Sequence, residues 1–412
     1  MGQEIEKSRF AMLLGDFAQA REVIASYVAT GVGGYALCEL AFAFHQMTGD
    51  TELLGTVTSA LESKEDRFAA VMARGVLAAA AGSLDAALAC WREARTISPG
   101  HPDPVLFEAR TLFRMGLVDE ASRLFQALAA PGLDIPDAIW NARLCALVRQ
   151  PASPPPGAHV EILVSFHKPH RVIEHPMLRP IHVGKARSEV DLGFAGDDQG
   201  DNISSMNDRY CELTAQYWAW KNPSKATHIG FCHYRRYFWF GLELSLPFAF
   251  SVPYTRFSVP RRRVDRFDVR FPVEITTRLI AEHDIVVPRP LELLETVREQ
   301  WSQHHPGALL DLVERVLAFR DPLDGTVARE VFDGTRMTPF NMFVMRRELF
   351  EEYATWLFGA LFLLDEAGMA LTGGPMAPRM AGYLGERLLN VFVSRKRRDG
   401  ARVLEAPMVT LL

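Results

Sequence analysis

Cysteine is scarce and follows no pairing pattern. The 412-residue chain carries five (Cys38, Cys90, Cys145, Cys211 and Cys232), an odd number with no CxxC spacing. A disulfide scaffold and a structural zinc site are not expected, and reduced, mostly buried thiols are. The opening MGQEIEKSRF lacks a basic segment followed by an apolar core, so no signal peptide is expected. Long hydrophobic runs are missing as well, which predicts no bilayer-spanning helix and a cytoplasmic chain. Nor is there a basic excess: 45 Lys and Arg against 50 Asp and Glu give a net charge of -5. Nucleic acid is not an expected partner. The acidity belongs to the first 150 residues, with 13 basic and 18 acidic side chains, whereas the remainder is balanced at 32 and 32.

What is present is ordinary globular material, 48% hydrophobic and 23% charged, long enough for two or three domains. Residues 1–150 read as helix almost throughout. Gly15, Gly49, Gly82 and Gly116 lie 34, 33 and 34 residues apart, each ending one apolar-periodic helix just before another. Aligning the segments at Gly82 and Gly116 places Asp85 over Asp119, Ala87 over Ala121 and Trp91 over Phe125. Small residues where paired helices approach, with a bulky one filling the gap, resemble a tetratricopeptide array of about four helix pairs.

A Pro-rich linker at 151–158 comes next, and residues 159–412 change texture. Buried strands are expected at 160–166, 227–232, 284–287 and 339–345. Helices are expected at 209–222, 291–303, 307–319, 348–364 and 381–396. Strands alternating with helices predict an α/β domain with a mostly parallel sheet.

Chemistry-bearing residues crowd the first part of that domain. Strand 160–166 runs into His167 and Lys168, where parallel sheets hold ligands. Lys185 follows an apolar stretch, and then three carboxylates (Asp197, Asp198, Asp201) and Asn202 fall within a glycine-bearing loop. Such a cluster needs a cation, a sugar hydroxyl or backbone donors to offset its repulsion. Helix capping accounts for Ser204, Ser205, Asn207 and Asp208 but leaves Asp198 and Asp201 unexplained. The stripe Tyr210, Leu213, Tyr217, Trp220 reads as core, leaving Glu212, Gln216 and Lys221 to face elsewhere. Strand 227–232 ends in His233, Tyr234, Arg235 and Arg236. Adjacent guanidinium forks suit a diphosphate, and an ion pair with the Asp cluster is the structural alternative.

The blocks EILVSFHKP, HVGKA, DDQGDNISSMN, CELTAQYWAWKN and HIGFCHYRRYF resemble, in this order, the family called domain of unknown function 4422. DIVVP, Gln300 with His304, FNMFVMRRELFEEYATWLF and GYLGERLL extend the resemblance over 159–393. The family resemblance implies a GT-A-like α/β glycosyltransferase of capsule, exopolysaccharide or O-antigen synthesis, with donors related to galactofuranose. In that frame His167, Lys168, Lys185, Asn202, His233, Tyr234, Arg235, Arg236 and Asn341 are expected nucleotide-sugar contacts. Asp198, Asp201 and Glu386 are the candidate bases. Glu212, Lys221 and His304 are candidate sugar or acceptor contacts.

Arginines at 235 and 236 stand where GT-A enzymes commonly place a metal-binding Asp-x-Asp motif. No resident metal is assigned on that ground, and Mn²⁺ or Mg²⁺ held by the Asp cluster stays open. Expected partners are a UDP-sugar, a glycan or lipid-linked glycan, and a protein or second copy in the repeat groove. Two other readings remain: a nucleotide-sugar-sensing assembly protein, and a metal-dependent hydrolase built on Asp197–Asp201. The unaligned stretch 239–263 alternates Phe240, Leu242, Leu244, Leu246, Phe248 and Phe250 ahead of Arg261, Arg262 and Arg263. With the basic run 395–398 it suggests peripheral docking on an anionic membrane.

Overall fold

The computed structural model of the chain describes residues 8, 11–12, 16–30, 34–63, 66–130, 135–150, 153–241, 258–259, 273–372 and 377–411. The chain gathers into two compact units, one of residues 1–152, 239–270 and 409–412, the other of residues 153–238 and 271–408.

The first unit is helical. Its helices are α1 (Phe17–Thr30), α2 (Gly34–Thr48), α3 (Thr51–Glu62), α4 (Arg67–Ala80), α5 (Leu84–Ile97), α6 (Pro102–Arg114), α7 (Val118–Leu128) and α8 (Pro136–Arg149). Gly49, Gly82 and Gly116 take φ of 78°, 81° and 82° between paired helices. The left-handed turn that closes a helix there suits a residue without Cβ. Gly15 lies outside the described residues. The aligned positions behave alike: Ala87, Ala121 and Phe125 are fully buried and Trp91 almost so. Trp91 stacks on Phe107 at 4.9 Å and donates from Nε1 to Thr111 Oγ1 at 3.0 Å.

Although the α/β domain was expected to run from 159 to the end, residues 239–241, 258–259 and 409–411 belong to the helical unit. Trp140 Nε1 donates to the Gly241 carbonyl at 2.8 Å. Residues 258–259 pair in parallel with 410–411. Phe240 is buried, and Leu242, Leu244, Leu246, Phe248, Phe250 and Arg261 to Arg263 lie outside the described residues.

The second unit is an α/β domain. Strands β1 (Val160–Phe166), β2 (Leu178–His182), β3 (His228–His233), β4 (Arg236–Phe238), β5 (Ile285–Pro288), β6 (Phe343–Arg346) and β7 (Val403–Ala406) form a mixed sheet. Parallel pairs β2–β1, β1–β3 and β5–β7 carry most of the register, and β6 runs antiparallel between β3 and β5. β4 folds back on the end of β3. Around the sheet run α9 (Asn207–Tyr210), α10 (Leu213–Lys221), α11 (Val273–Ala281), α12 (Val297–Ser302), α13 (Ala308–Arg320), α14 (Pro322–Asp333), α15 (Arg347–Thr372) and α16 (Met380–Arg398).

Rings from β3, β6, α15 and α16 fill one core: Phe231, Phe343, Phe350, Tyr353, Phe358 and Phe392. The helix expected at 209–222 is broken at Cys211, and residues 291–292 are strand rather than helix. The segment β2, Leu178–His182, carries too little alternation to mark it as a strand by sequence.

The basic run at the end of α16 is consumed within the domain. Arg395 pairs with Asp321 and Asp324, Lys396 with Glu352, Arg397 with Glu405 and Arg398 with Glu330. The expected contribution of 395–398 to a membrane-facing basic patch is therefore corrected, since these charges are matched one by one. No helix among the described residues is long and apolar enough to cross a membrane.

Gly75 lies inside α4, and a Cβ there would sit 2.5 Å from the Trp91 ring. Alanine is the better helix former by about 1 kcal/mol, yet Trp91 is fixed by Phe107 and Thr111 and has no room to yield. Gly75→Ala is expected to lower the melting temperature, followed by circular dichroism; an increase would show that the Trp91 packing is soft.

Candidate functional site

The site begins with register. β1 and β3 run side by side with Ser165 opposite His233, and the Tyr234 amide donates to the Ser165 carbonyl at 3.1 Å. Both strands therefore end at one level, and the segments 167–170 and 234–236 that leave them are brought together. Tyr234, buried at 6% exposure, is the hub. The His167 and His170 rings meet it edge-on at 5.1 and 5.0 Å, with Lys168 Nζ 5.8 Å and the Arg235 guanidinium 5.2 Å from its centroid. Such aromatic contact lets like-charged side chains gather in a small volume. Arg236 lies 4.0 Å over the Phe340 ring, which also faces His233 at 6.1 Å.

Carboxylates enter from the helical side. Cys211 takes φ 50°, ends α9 and aims Glu212 back at the sheet. Asn341 Nδ2 donates to Glu212 Oε1 at 2.6 Å and to the Gly382 carbonyl at 3.0 Å. Gln216 donates to the Asn341 carbonyl at 3.2 Å, and His233 Nε2 stands 3.8 Å from Glu212 Oε1. From α16, Glu386 pairs with Arg387 at 3.0 Å. Arg387 in turn donates to Gln300 Oε1 at 2.7 Å and lies over the Trp301 ring.

Burial, with the Glu212 charge adding to it, pushes the Glu386 carboxyl up to about 7, against the pull of Arg387, Arg236 and Arg379. Burial also lowers His233, helped by Arg236, His167 and Arg235 and opposed by Glu212. His167 is lowered by burial, then by Lys168, Arg235 and Arg379. The arrangement therefore joins a cationic strand edge to a carboxyl poised to exchange protons near neutrality.

The loop 196–208 is organised differently. Asp197 is fully buried and accepts from the Gly184 and Lys185 amides at 3.0 and 3.3 Å and from the Ser204 hydroxyl. Asn202 bridges the carbonyls of Asp198 and Gly200 and accepts from the Ser204 amide. Asp201 is exposed and accepts from the Tyr217 hydroxyl at 3.3 Å. Asp198 Oδ1 and both ring nitrogens of the buried His182 have no hydrogen-bond partner. No carboxylate of 197–201 is among the main influences on Glu386 or His233. Among the described residues no three His, Cys, Asp or Glu side chains form a metal-holding group.

The comparisons with known proteins bear on this geometry. Residues 161–397 match the family described as Domain of unknown function (DUF4422). The chain belongs to the DUF4422 family. Residues 78–143 match a tetratricopeptide repeat family. A solved structure described as the apo form of WbbM, a bifunctional glycosyltransferase, is 29% identical with a TM-score of 0.55, over 61% of this chain and 45% of that chain. The present chain thus spans less than half of that relative's length. No curated protein matches it.

In this DUF4422 domain the structure brings His167, Lys168, His233, Tyr234, Arg235 and Arg236 together with Glu212, Asn341 and Glu386. It leaves Asp198, Asp201, Lys185 and Asn202 in the adjoining loop. Lys221 is stacked on Trp220, with Nζ 3.5 Å from the ring centroid. His304 is exposed, whereas its neighbour His305 packs between Trp301 at 4.3 Å and Tyr383 at 4.8 Å.

Two features of the site are almost silent in the sequence. One is Arg379, which precedes α16 and influences His167, Glu212's neighbour Cys211, and Glu386; the Pro378 before it is the only signal. The other is strain. Cys211, Phe340 and Arg379 take φ of 50°, 66° and 63°, and all three border this site. Each such residue costs on the order of 1–3 kcal/mol and persists where surroundings enforce it, as at functional sites.

A folded-state carboxyl raised above its unfolded value stabilises the protein below about pH 4.5 and loses that contribution as pH climbs through about 7. Glu386→Gln removes the titration. Relative to the parent, its melting temperature is expected to improve from pH 5 to pH 8. An identical difference at both pH values would show that Glu386 ionises normally.

Proposed function

We propose that this chain is a glycosyltransferase that moves a sugar, of galactofuranose or related hexose type, from a UDP-sugar to a polysaccharide or lipid-linked glycan of the cell surface. One observation carries the reading: Lys168, Arg235 and Arg236 converge at the ends of β1 and β3, beside a carboxyl, Glu386, whose proton affinity is near neutral. The family membership and the resemblance to a bifunctional glycosyltransferase support it.

In this mechanism the acceptor hydroxyl gives its proton to Glu386 as its oxygen bonds to the anomeric carbon. The bond from that carbon to the diphosphate breaks, and the electron pair leaves with the diphosphate. Lys168, Arg235 and Arg236 balance the charge that develops there. Arg387, held by Gln300 and Trp301, orients Glu386. Asn341 holds Glu212 against His233, where it can meet sugar hydroxyls. Charge neutralisation is thereby assigned to side chains, and assays with EDTA, Mn²⁺ and Mg²⁺ test that assignment. The helical repeats are assigned to docking a partner or a second copy, as stacked helix pairs leave an extended face for this.

Arg235→Ala is expected to weaken UDP binding about 10- to 150-fold, the loss of a charge-assisted contact of about 1.5–3 kcal/mol, measured by titration calorimetry. Unchanged affinity would remove the diphosphate from this edge. Glu386 must be deprotonated to act as base, so kcat/KM is expected to rise with pH and level off above about 7. Glu386→Gln should lower turnover about 100- to 10,000-fold while keeping UDP affinity. Full turnover in this variant would assign the base elsewhere.

A further inference from the structure

Arg379 stands apart from the other cations of the site. It comes from neither strand end, but from the residue that opens α16, with φ 63° and ψ 0°. Two backbone hydrogen bonds hold that conformation: its amide donates to the Asp208 carbonyl at 2.7 Å and its carbonyl accepts from the Tyr383 amide at 3.1 Å. Glycine would adopt the same angles without strain and keep both bonds. An arginine here is therefore not required by the turn. Its side chain is exposed and lies against the Tyr383 ring, 5.2 Å from the centroid.

The surroundings say what the guanidinium faces. His167 at the end of β1, Cys211 and Glu212 at the start of α10, and Glu386 on α16 all lie within its electrostatic reach. The guanidinium hydrogen-bonds the Cys211 side chain and lies against Tyr383; stacking uses its face and hydrogen bonding its edge, so its remaining N–H groups can pair with oxygens.

We propose that Arg379 is a diphosphate-binding residue that grips a nucleoside diphosphate from the α16 side of the site, complementing Lys168 and Arg235 on the strand side. The inference rests on the nucleotide-sugar function proposed for the chain and adds to it a specific contact. As the bond between the anomeric carbon and the diphosphate oxygen breaks, the leaving oxygens gain the electron pair, and Arg379 supplies positive charge where it accumulates. Left-handed backbone at a non-glycine residue then has a reason, since it turns a cation toward the ligand.

The test uses full-length Arg379→Gly, Arg379→Gln and Arg379→Lys, with calorimetric titration of UDP, UMP and uridine and melting curves without ligand. Arg379→Gly is expected to keep or raise the melting temperature yet bind UDP at least tenfold more weakly. Uridine affinity should be unchanged, and Arg379→Lys should recover part of the UDP affinity. Should Arg379→Gly melt lower, Arg379→Gln supplies the same comparison with the side-chain bulk retained. UDP bound equally by parent and both neutral variants would overturn the inference alone. A parent protein that binds no UDP would overturn the nucleotide-sugar reading, and this inference with it.

Discussion

Everything at the candidate site depends on the parallel pairing of β1 with β3. These two strands are buried on both faces, so their register is fixed by the core and not by the polar residues beyond them. Because Ser165 lies opposite His233, both chains leave the sheet at the same height. Histidines, and a lysine and arginines that would repel one another in open solution, are brought to one edge. Tyr234 sits among them and supplies a ring face and edge for four basic groups. The repulsion that remains is an affinity for anions built into the fold.

The carboxylates that oppose this edge are delivered by interruptions of regular structure. Cys211 breaks what would be one helix and turns Glu212 inward. Phe340 and Asn341 precede β6 in non-strand conformations, and Arg379 opens α16 in a left-handed one. The surrounding fold keeps these breaks in place. Arg209 Nη1 donates to both carboxylate oxygens of Asp365 and so ties α9 to α15, and Arg347 donates to the carbonyls of Ser224 and Ala226 just before β3. These contacts hold the elements next to Cys211 and next to Asn341 in place.

Arginines serve two unlike purposes in the same domain. Arg395, Arg397 and Arg398 are matched by acidic partners and close the surface of α16. Arg235 and Arg379 lie instead against aromatic rings, which position a guanidinium without neutralising it. A cation stacked on a ring retains its charge for a ligand. The same residue type is thus spent on stability at one end of α16 and kept available at the other.

The glycine spacing and the small-then-bulky pattern of residues 1–150 determined the helical repeats, because neighbouring pairs can bury themselves only at that period. Strand β1 was legible to the residue, as was the concentration of polar groups after it, since both are local. The division of labour among the acidic residues was not. Asp197, Asp198 and Asp201 make the densest acidic cluster in the region, yet Asp197 is tied to backbone amides and Asp201 to a tyrosine. Glu212 and Glu386 stand out as candidates in the sequence and Arg379 does not, and the three come from positions far apart in the chain. Only the tertiary structure could bring them together, because burial and the field of distant charges, not sequence spacing, set what a carboxyl or a guanidinium can do.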